Sequence, residues 1–227
     1  TWECNEWLDD SDRSLFLALK KNNPRRARIE CDGEWGIAEG LIYEKYRVED
    51  FDVNEIRKIP NIISSFSLDF GFTDPNAFIA AMIDNSAMKI YVFDEHYEKG
   101  MTNEDIYKMV VEKGYAKEII TFDSAEPKSI DHLKKLGLYR VRAARKGKDS
   151  ILNGIDFIQQ FQVVVHPKCK NFIMELENYT WKKDKSTNEY INTPIDNFNH
   201  LLDAWRYSLE EIQRNMKKKI RATSRIY

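Results

Sequence analysis

Between residues 62 and 95 the chain reads IISSFSLDF, AFIAAMID and MKIYVFDE, three apolar runs of strand length separated by turn-prone residues at 73–76 and 84–86. Connections this short make antiparallel neighbours the economical arrangement, and everything downstream has to pack against that meander. Thr102 then opens a helix. Asp105, three residues on, supplies a carboxylate variant of the capping box, and Ile106, Met109 and Val110 form the apolar stripe. Next comes EIITFD, a buried strand ending at Asp123, with Pro127 in the first turn of a helix that carries Ile130, Leu133 and Leu136.

The alternation continues with a strand over LYRVRAA and a helix over 150–160 with Ile151, Ile155 and Ile158 on one side. A strand over QVVVH and a helix over 170–179 follow. Strand formers on either side of KDKSTNE predict a β-hairpin over 181–194, and Phe198, Leu201, Leu202, Trp205, Leu209 and Ile212 mark the core stripe of a last long helix. Three antiparallel strands, a helix, a strand ending in an acid and further α/β units match the RNase H-like order. The expected fold is therefore α/β, a mixed central sheet flanked by helices, with an added hairpin.

In that order the first strand and the strand after the first helix lie side by side, which brings Asp69 and Asp123 together, and the last helix lays Asp203 across the same edge. A carboxylate ending a hydrophobic strand must find a cation or hydrogen-bond donors. Three of them at one edge point to two hard divalent cations, Mg²⁺ or Mn²⁺, with Asp69 shared between them and water completing their shells. Such a centre activates a water and stabilises the leaving oxygen of a phosphodiester. His200 stands one helical turn before Asp203, where it is suited to ligate Mn²⁺ or shuttle a proton. Asp74, Asp94 and Glu95 read as turn residues near strand ends.

The 227 residues, 42% hydrophobic and 32% charged, suit one domain with a sizeable core and an N-terminal appendage. No apolar run approaches the roughly 18 residues that span a bilayer, and the first residues lack the basic and apolar sections of a signal peptide, so a cytoplasmic location and no membrane partner are expected. Cys4, Cys31 and Cys169 lack zinc spacing and read as free thiols. A net charge of −2 does not announce a nucleic-acid binder, but the charge is patterned. Lys128 at a helix start and Arg145, Lys146 and Lys148 before the next helix suit backbone phosphates of double-stranded DNA. Basic residues also cluster at 20–28 and 217–221. Trp181, Trp205 and Tyr207 read as core rather than as stacking platforms.

The blocks SLDFGFTDPNAF, YVFDEHYEKGMT, TFDSAEPKSIDHLKKLG, KGKDSILNGIDFIQ, CKNFIMELENYTW and DNFNHLLDAWRY resemble, in that order, the C-terminal nuclease domain of the large terminase subunit of tailed bacteriophages. The resemblance runs from about Trp2 to Leu209 and is nearest to headful-packaging phages of Gram-positive hosts. It implies cutting of concatemeric viral DNA in the host cytoplasm, metal ligands at Asp69, Asp123 and Asp203, and a hairpin whose Lys182 and Lys183 flank the DNA. It also implies partnership with an ATPase motor domain of the same protein, the small terminase subunit and the portal. No G-x-x-x-x-G-K-[ST] string occurs, so ATP hydrolysis is not expected of this stretch. The implied division is a linker over residues 1–58 following the motor, a nuclease domain over 59–215 and a basic tail over 216–227. Two other readings stay open: a different RNase H-like nuclease of junction-resolvase type, and a non-catalytic module that docks on DNA or capsid.

Overall fold

The computed structural model describes residue 13 and residues 40–71, 73–145, 147 and 149–223, without the side chains of 211 and 215–223. The described residues fall into two compact units, 40–42 with 177–195, and 43–176 with 196–223. In the larger unit a seven-stranded mixed sheet is built from β1 (Tyr46–Val48), β2 (Ile63–Asp69), β3 (Pro75–Asp84), β4 (Lys89–Lys99), β5 (Ile120–Phe122), β6 (Val141–Ala143) and β7 (Gln162–Val165). The strand order is β1-β7-β4-β3-β2-β5-β6. The meander β2-β3-β4 is antiparallel, and β2 pairs in parallel with β5, as the element order predicts.

The helices are α1 (Val53–Arg57), α2 (Asn103–Glu112), α3 (Pro127–Leu136), α4 (Ser150–Ile158), α5 (Lys170–Asn178) and α6 (His200–Thr223). Every residue of β3 is buried, which fits a central strand with both faces covered. On one sheet face Phe66, Leu68, Phe78, Phe93 and Phe122 pack with Ile106, Met109 and Val110 of α2 and Ile130 and Leu133 of α3 in a single core. The capping box of α2 forms: Asp105 N–H donates to Thr102 Oγ1 at 3.2 Å, and Thr102 N–H donates to Asp105 Oδ2 at 3.0 Å. On the other face β2 and β3 pack against α6, through Ser208 and the fully buried Trp205 among others.

Residues 46–57 are not irregular: β1 pairs with β7 at the sheet edge and α1 is capped by the Asp52 side chain. Three residues of exposed edge strand carry no readable period, which is why YRV gave no strand signal. Phe198 does not join the stripe of the last helix. It is 40% exposed and takes a left-handed φ of 57°, so the chain turns there and α6 starts at His200. Ile151 likewise faces solvent, while Ile155 and Ile158 are buried as expected. The backbone of α6 continues to Thr223, so 216–223 extend the helix. Cys169 is a buried free thiol whose pKa burial pushes up to about 12. Cys4, Cys31 and the basic cluster at 20–28 lie outside the described residues.

In the smaller unit β8 (Trp181–Lys183) and β9 (Tyr190–Pro194) form the expected hairpin. Its turn is tied by Asp184, whose Oδ1 accepts from the N–H groups of Ser186 and Thr187 at 2.7 and 3.1 Å. Among the described residues no helix is long and apolar enough to cross a membrane.

Candidate metal centre

The period-two alternation of β2 sends Phe66 and Leu68 into the core under α2 and α3, and therefore Ser65, Ser67 and Asp69 toward α6. Two small hydroxyl side chains let the helix approach closely. Ser208 of α6 sits 2.5 Å from Ser65 Oγ and 3.3 Å from Ser67 Oγ. The parallel register pairs Leu68 with Phe122, and the Asp123 N–H donates to the Leu68 carbonyl at 3.2 Å, which puts Asp123 next to Asp69 at the strand ends. Asp123 Oδ1 then accepts from Ala125 N–H at 3.0 Å in the turn leading to α3. From α6, His200, Asp203 and Tyr207 arrive at i, i+3 and i+7, one face of the helix.

Asp69 is more enclosed than Asp203, with 14% of its side chain exposed against 19%. Burial pushes its carboxyl above the usual range, and the charges of Asp203 and Asp123 push in the same direction. Its contacts are long: the Tyr207 hydroxyl lies 3.3 Å from Oδ1 and His200 Nδ1 lies 3.7 Å from Oδ2. The Asp69 carboxylate in turn raises the His200 pKa, with Glu175 and Asp74 adding to the pull against the burial of the ring. Asp203 is held differently. Arg206 Nη2 donates to its Oδ1 at 2.6 Å, while Oδ2 meets a longer donor, Asn199 Nδ2 at 3.3 Å.

The start of α6 is anchored from beneath by Glu175 of α5. This side chain is fully buried, its Oε2 accepts the Leu202 N–H at 3.0 Å, and burial pushes its carboxyl up to about 7 against the opposing effect of those backbone donors. Tyr97 of β4 faces the same carboxylate, and burial with that charge moves the phenol up to about 12. An acid at a helix N-terminus satisfies donors that have no partner inside the helix. Here it fixes the turn that carries His200 and Asp203.

Among the described residues no three His, Cys, Asp or Glu side chains are drawn tightly enough together to enclose an ion. The donor set nevertheless fits a hard divalent cation. All three acids offer oxygen, and Asp69 is a buried carboxylate beside two others with no close donor, the condition a cation relieves. Residues 69–211 match the terminase RNase H-like domain family, a span that begins at the first acid and extends past the third. The chain belongs to that family.

The terminase large subunit of Bacillus phage SPP1 is 32% identical over 225 residues, 96% of this chain and 52% of the relative. The PBSX phage terminase large subunit of Bacillus subtilis strain 168 is 29% identical over 217 residues, 92% of this chain and 49% of the relative. This terminase chain thus spans about half the length of the curated relatives it matches. The crystal structure of the SPP1 large terminase nuclease domain, solved with bound Mn, superposes with a TM-score of 0.67 at 30% identity. The match covers 75% of this chain and 98% of that one.

Of the residues singled out in the sequence, His200 stands 3.7 Å from Asp69, and Asp123 and Asp203 lie close enough for their charges to act on it. Lys128 is exposed in the first turn of α3, just past Asp123. Arg145 is exposed, and its carbonyl receives Arg214 Nη2 at 2.8 Å; Lys146 and Lys148 lie outside the described residues. Lys182 and Lys183 sit on β8, with Lys183 Nζ 4.8 Å from the Tyr190 ring centre. Asp94 and Glu95 are not turn residues, because β4 runs four residues beyond Glu95. Asp94 pairs with Lys113 at 2.9 Å, and Glu95 accepts from the Asn171 and Phe172 N–H groups, both at 2.8 Å, at the start of α5.

Sequence reasoning assigned no role to Arg206 or Glu175, and Tyr207, read there as core, also turns its hydroxyl to Asp69. Arg206 and Tyr207 stand three and four residues after Asp203, the spacing at which helical side chains meet, and that signal was available in DAWRY. Glu175 carried no local signal, since its partner lies 27 residues away.

Proposed function

We propose that this terminase domain is a divalent-metal-dependent endonuclease that cuts double-stranded DNA, the step that releases unit genomes from a concatemer. The observation that carries the reading is the buried Asp69 carboxylate, raised in pKa, with Asp123 and Asp203 converging on it from a neighbouring strand and a helix. Asp69, Asp123 and Asp203 would hold two Mg²⁺ or Mn²⁺ ions. When bound, such ions supply an activated water and offset charge on the leaving 3′ oxygen. The Mn in the SPP1 nuclease domain supports that choice of metal.

The chain's own residues do the rest. His200 turns Nδ1 toward Asp69, whose carboxylate raises its pKa, and is suited to pass a proton between that carboxylate and a substrate oxygen. Tyr207 donates to Asp69 and keeps its proton, because burial and the three carboxylates raise the phenol's pKa further. A cleft of about 430 Å³ lined by Phe70, Met101, Asn103, Ile106, Glu126 and Ser129 lies on the α2–α3 side of the β2 end and is lined by none of the three acids. Lys128 and Arg145 supply phosphate contacts, with Lys146 and Lys148 alongside in sequence. Lys182 and Lys183 of the hairpin are assigned to the flanking duplex by resemblance to terminases. Access to DNA and choice of site are assigned to the ATPase motor of the same protein, the small terminase subunit and the portal, acting in the host cytoplasm.

The test is a plasmid-nicking assay with Mg²⁺ or Mn²⁺, with and without chelator, using wild type and Asp69→Asn. Metal-dependent nicking lost in the variant supports the reading. Cleavage that survives chelation, or no cleavage with either metal, sinks it. A domain that prefers four-way junctions to linear duplex is instead a resolvase-type nuclease.

A further inference from the structure

Gly154 lies inside α4, where glycine is the least favourable residue short of proline, and its φ is not positive, so no backbone requirement explains it. Its surroundings do. A Cβ at position 154 would overlap Cγ and Cδ of Arg206. The missing side chain is a notch in α4 that admits the arginine stem, and Arg206 is buried along almost its whole length. Its guanidinium emerges over the Tyr207 ring, 5.5 Å from the centre, and closes on Asp203 Oδ1 at 2.6 Å.

We propose that Arg206, seated in the Gly154 notch, is a resident counter-ion of the acidic centre: it holds Asp203 through Oδ1 when metal is absent and competes with a divalent cation for that carboxylate. It is a positioning residue that sets metal affinity and touches neither DNA nor the reacting atoms. The inference rests on the metal-dependent reading above.

Three carboxylates gathered at one sheet edge repel one another, and one fixed positive charge lowers that repulsion. The same charge opposes an incoming cation. Because Arg206 takes Oδ1, the oxygen left for an ion is Oδ2, whose contact to Asn199 is the weaker one. The arginine cannot be replaced by solvent rearrangement, since its stem is locked between α4 and α6. Metal binding and the Arg206–Asp203 pair are therefore linked, and α4 is coupled to a metal ligand it does not touch.

The experiment is titration of the full chain with Mn²⁺ alone, read by the loss of the free-ion electron paramagnetic resonance signal, together with melting curves in chelator. Arg206→Met is expected to bind Mn²⁺ roughly tenfold more tightly than wild type, the scale of removing one nearby like charge, while melting lower without metal. Gly154→Ala keeps the charge but expels the stem, and is expected to shift affinity the same way by a smaller factor. Arg206→Lys retains the charge and is expected to stay near wild type.

Unchanged or weaker Mn²⁺ binding in both Arg206→Met and Gly154→Ala, with only the melting curves moved, would reduce Arg206 to a packing role and overturn the proposal. So would Arg206→Lys binding as tightly as Arg206→Met. If Arg206→Met does not fold, Gly154→Ala against wild type carries the decision. A wild type that binds no Mn²⁺ defeats the metal reading itself, and this inference with it. A wild type that binds, with variants that bind alike, defeats this inference alone.

Discussion

The hydroxyl of Tyr207 reaches Oδ1 of Asp69 at 3.3 Å, linking the second turn of α6 to the last residue of β2. It gives this acid a neutral donor. Burial and the neighbouring carboxylates raise the pKa of the phenol, so it remains protonated through the working range. Tyr207→Phe removes the donor without changing shape. Asp69, already raised, then titrates higher still, and because a cation needs the ionised form, the acid limb of the cleavage profile moves to higher pH. The expected loss of metal-free stability is about 1 kcal/mol, one hydrogen bond to a buried acceptor. A pH–rate profile that superimposes on wild type would rule out this role for Tyr207.

Alanine at Asp69, Asp123 or Asp203 is expected to abolish cleavage, but the three variants part company in stability. Removing Asp69 relieves burial of a charge and repulsion from two neighbours, so Asp69→Ala melts higher than wild type in chelator. Removing Asp203 strands the buried Arg206, and a buried charge that loses its partner costs about 3–5 kcal/mol. Asp203→Ala therefore melts lower. Saturating Mn²⁺ raises the melting temperature of wild type and leaves all three variants nearly unmoved. Equal metal-free melting shifts in Asp69→Ala and Asp203→Ala would contradict the assigned geometry.

Glu175 predicts a pH signature of the metal-free fold. Its carboxyl rises from 4.5 in the unfolded chain to about 7 in the folded domain. Between those values the folded state holds the proton more tightly, so the contribution is full below the unfolded pKa and is lost as pH rises through the folded one. The whole effect is at most about 3 kcal/mol. Glu175→Gln stays neutral, so it lacks this decline and gains on wild type as pH rises through that window. Urea unfolding of both proteins in chelator, from pH 4.5 to 8, measures the difference. Parallel stability curves would mean that the carboxyl is not raised.

Much of this was legible in the sequence, and the parts that were not share a cause. The antiparallel meander follows from run lengths and turn residues, and Asp69 and Asp123 could be paired because the apolar runs of β2 and β5 announce themselves. The last helix was readable by period, but Phe198 satisfied the stripe while the backbone turned left-handed ahead of it, a choice made by the chain's entry into the site. The Arg206–Gly154 fit and the Glu175 cap join residues 52 and 27 positions apart in sequence, and each end alone looks ordinary. A glycine within an amphipathic helix was a visible oddity. What it accommodates is visible only in three dimensions.

Binding to DNA is expected to be weak, salt-sensitive and nearly indifferent to sequence. The chain carries a net charge of −2, and the basic residues near the centre, Lys128 and Arg145 with Lys146 and Lys148 beside them in sequence, are suited to phosphates rather than base edges. Each phosphate contact contributes about 0.9 to the slope of log K against log salt on duplex DNA. Glutamate substitution at Arg145, Lys146 and Lys148 together should flatten that slope by about two to three and weaken binding by the same factor on unrelated duplexes. Lys128→Glu should act in the same direction by a smaller step, and because it lies just past Asp123 it should also slow cleavage at saturating DNA. Fluorescence anisotropy on two duplexes of different sequence, across a salt series, separates the outcomes. Tight binding to one of them that persists at high salt would place sequence choice within this domain and remove the need to assign it to the motor, the small subunit or the portal.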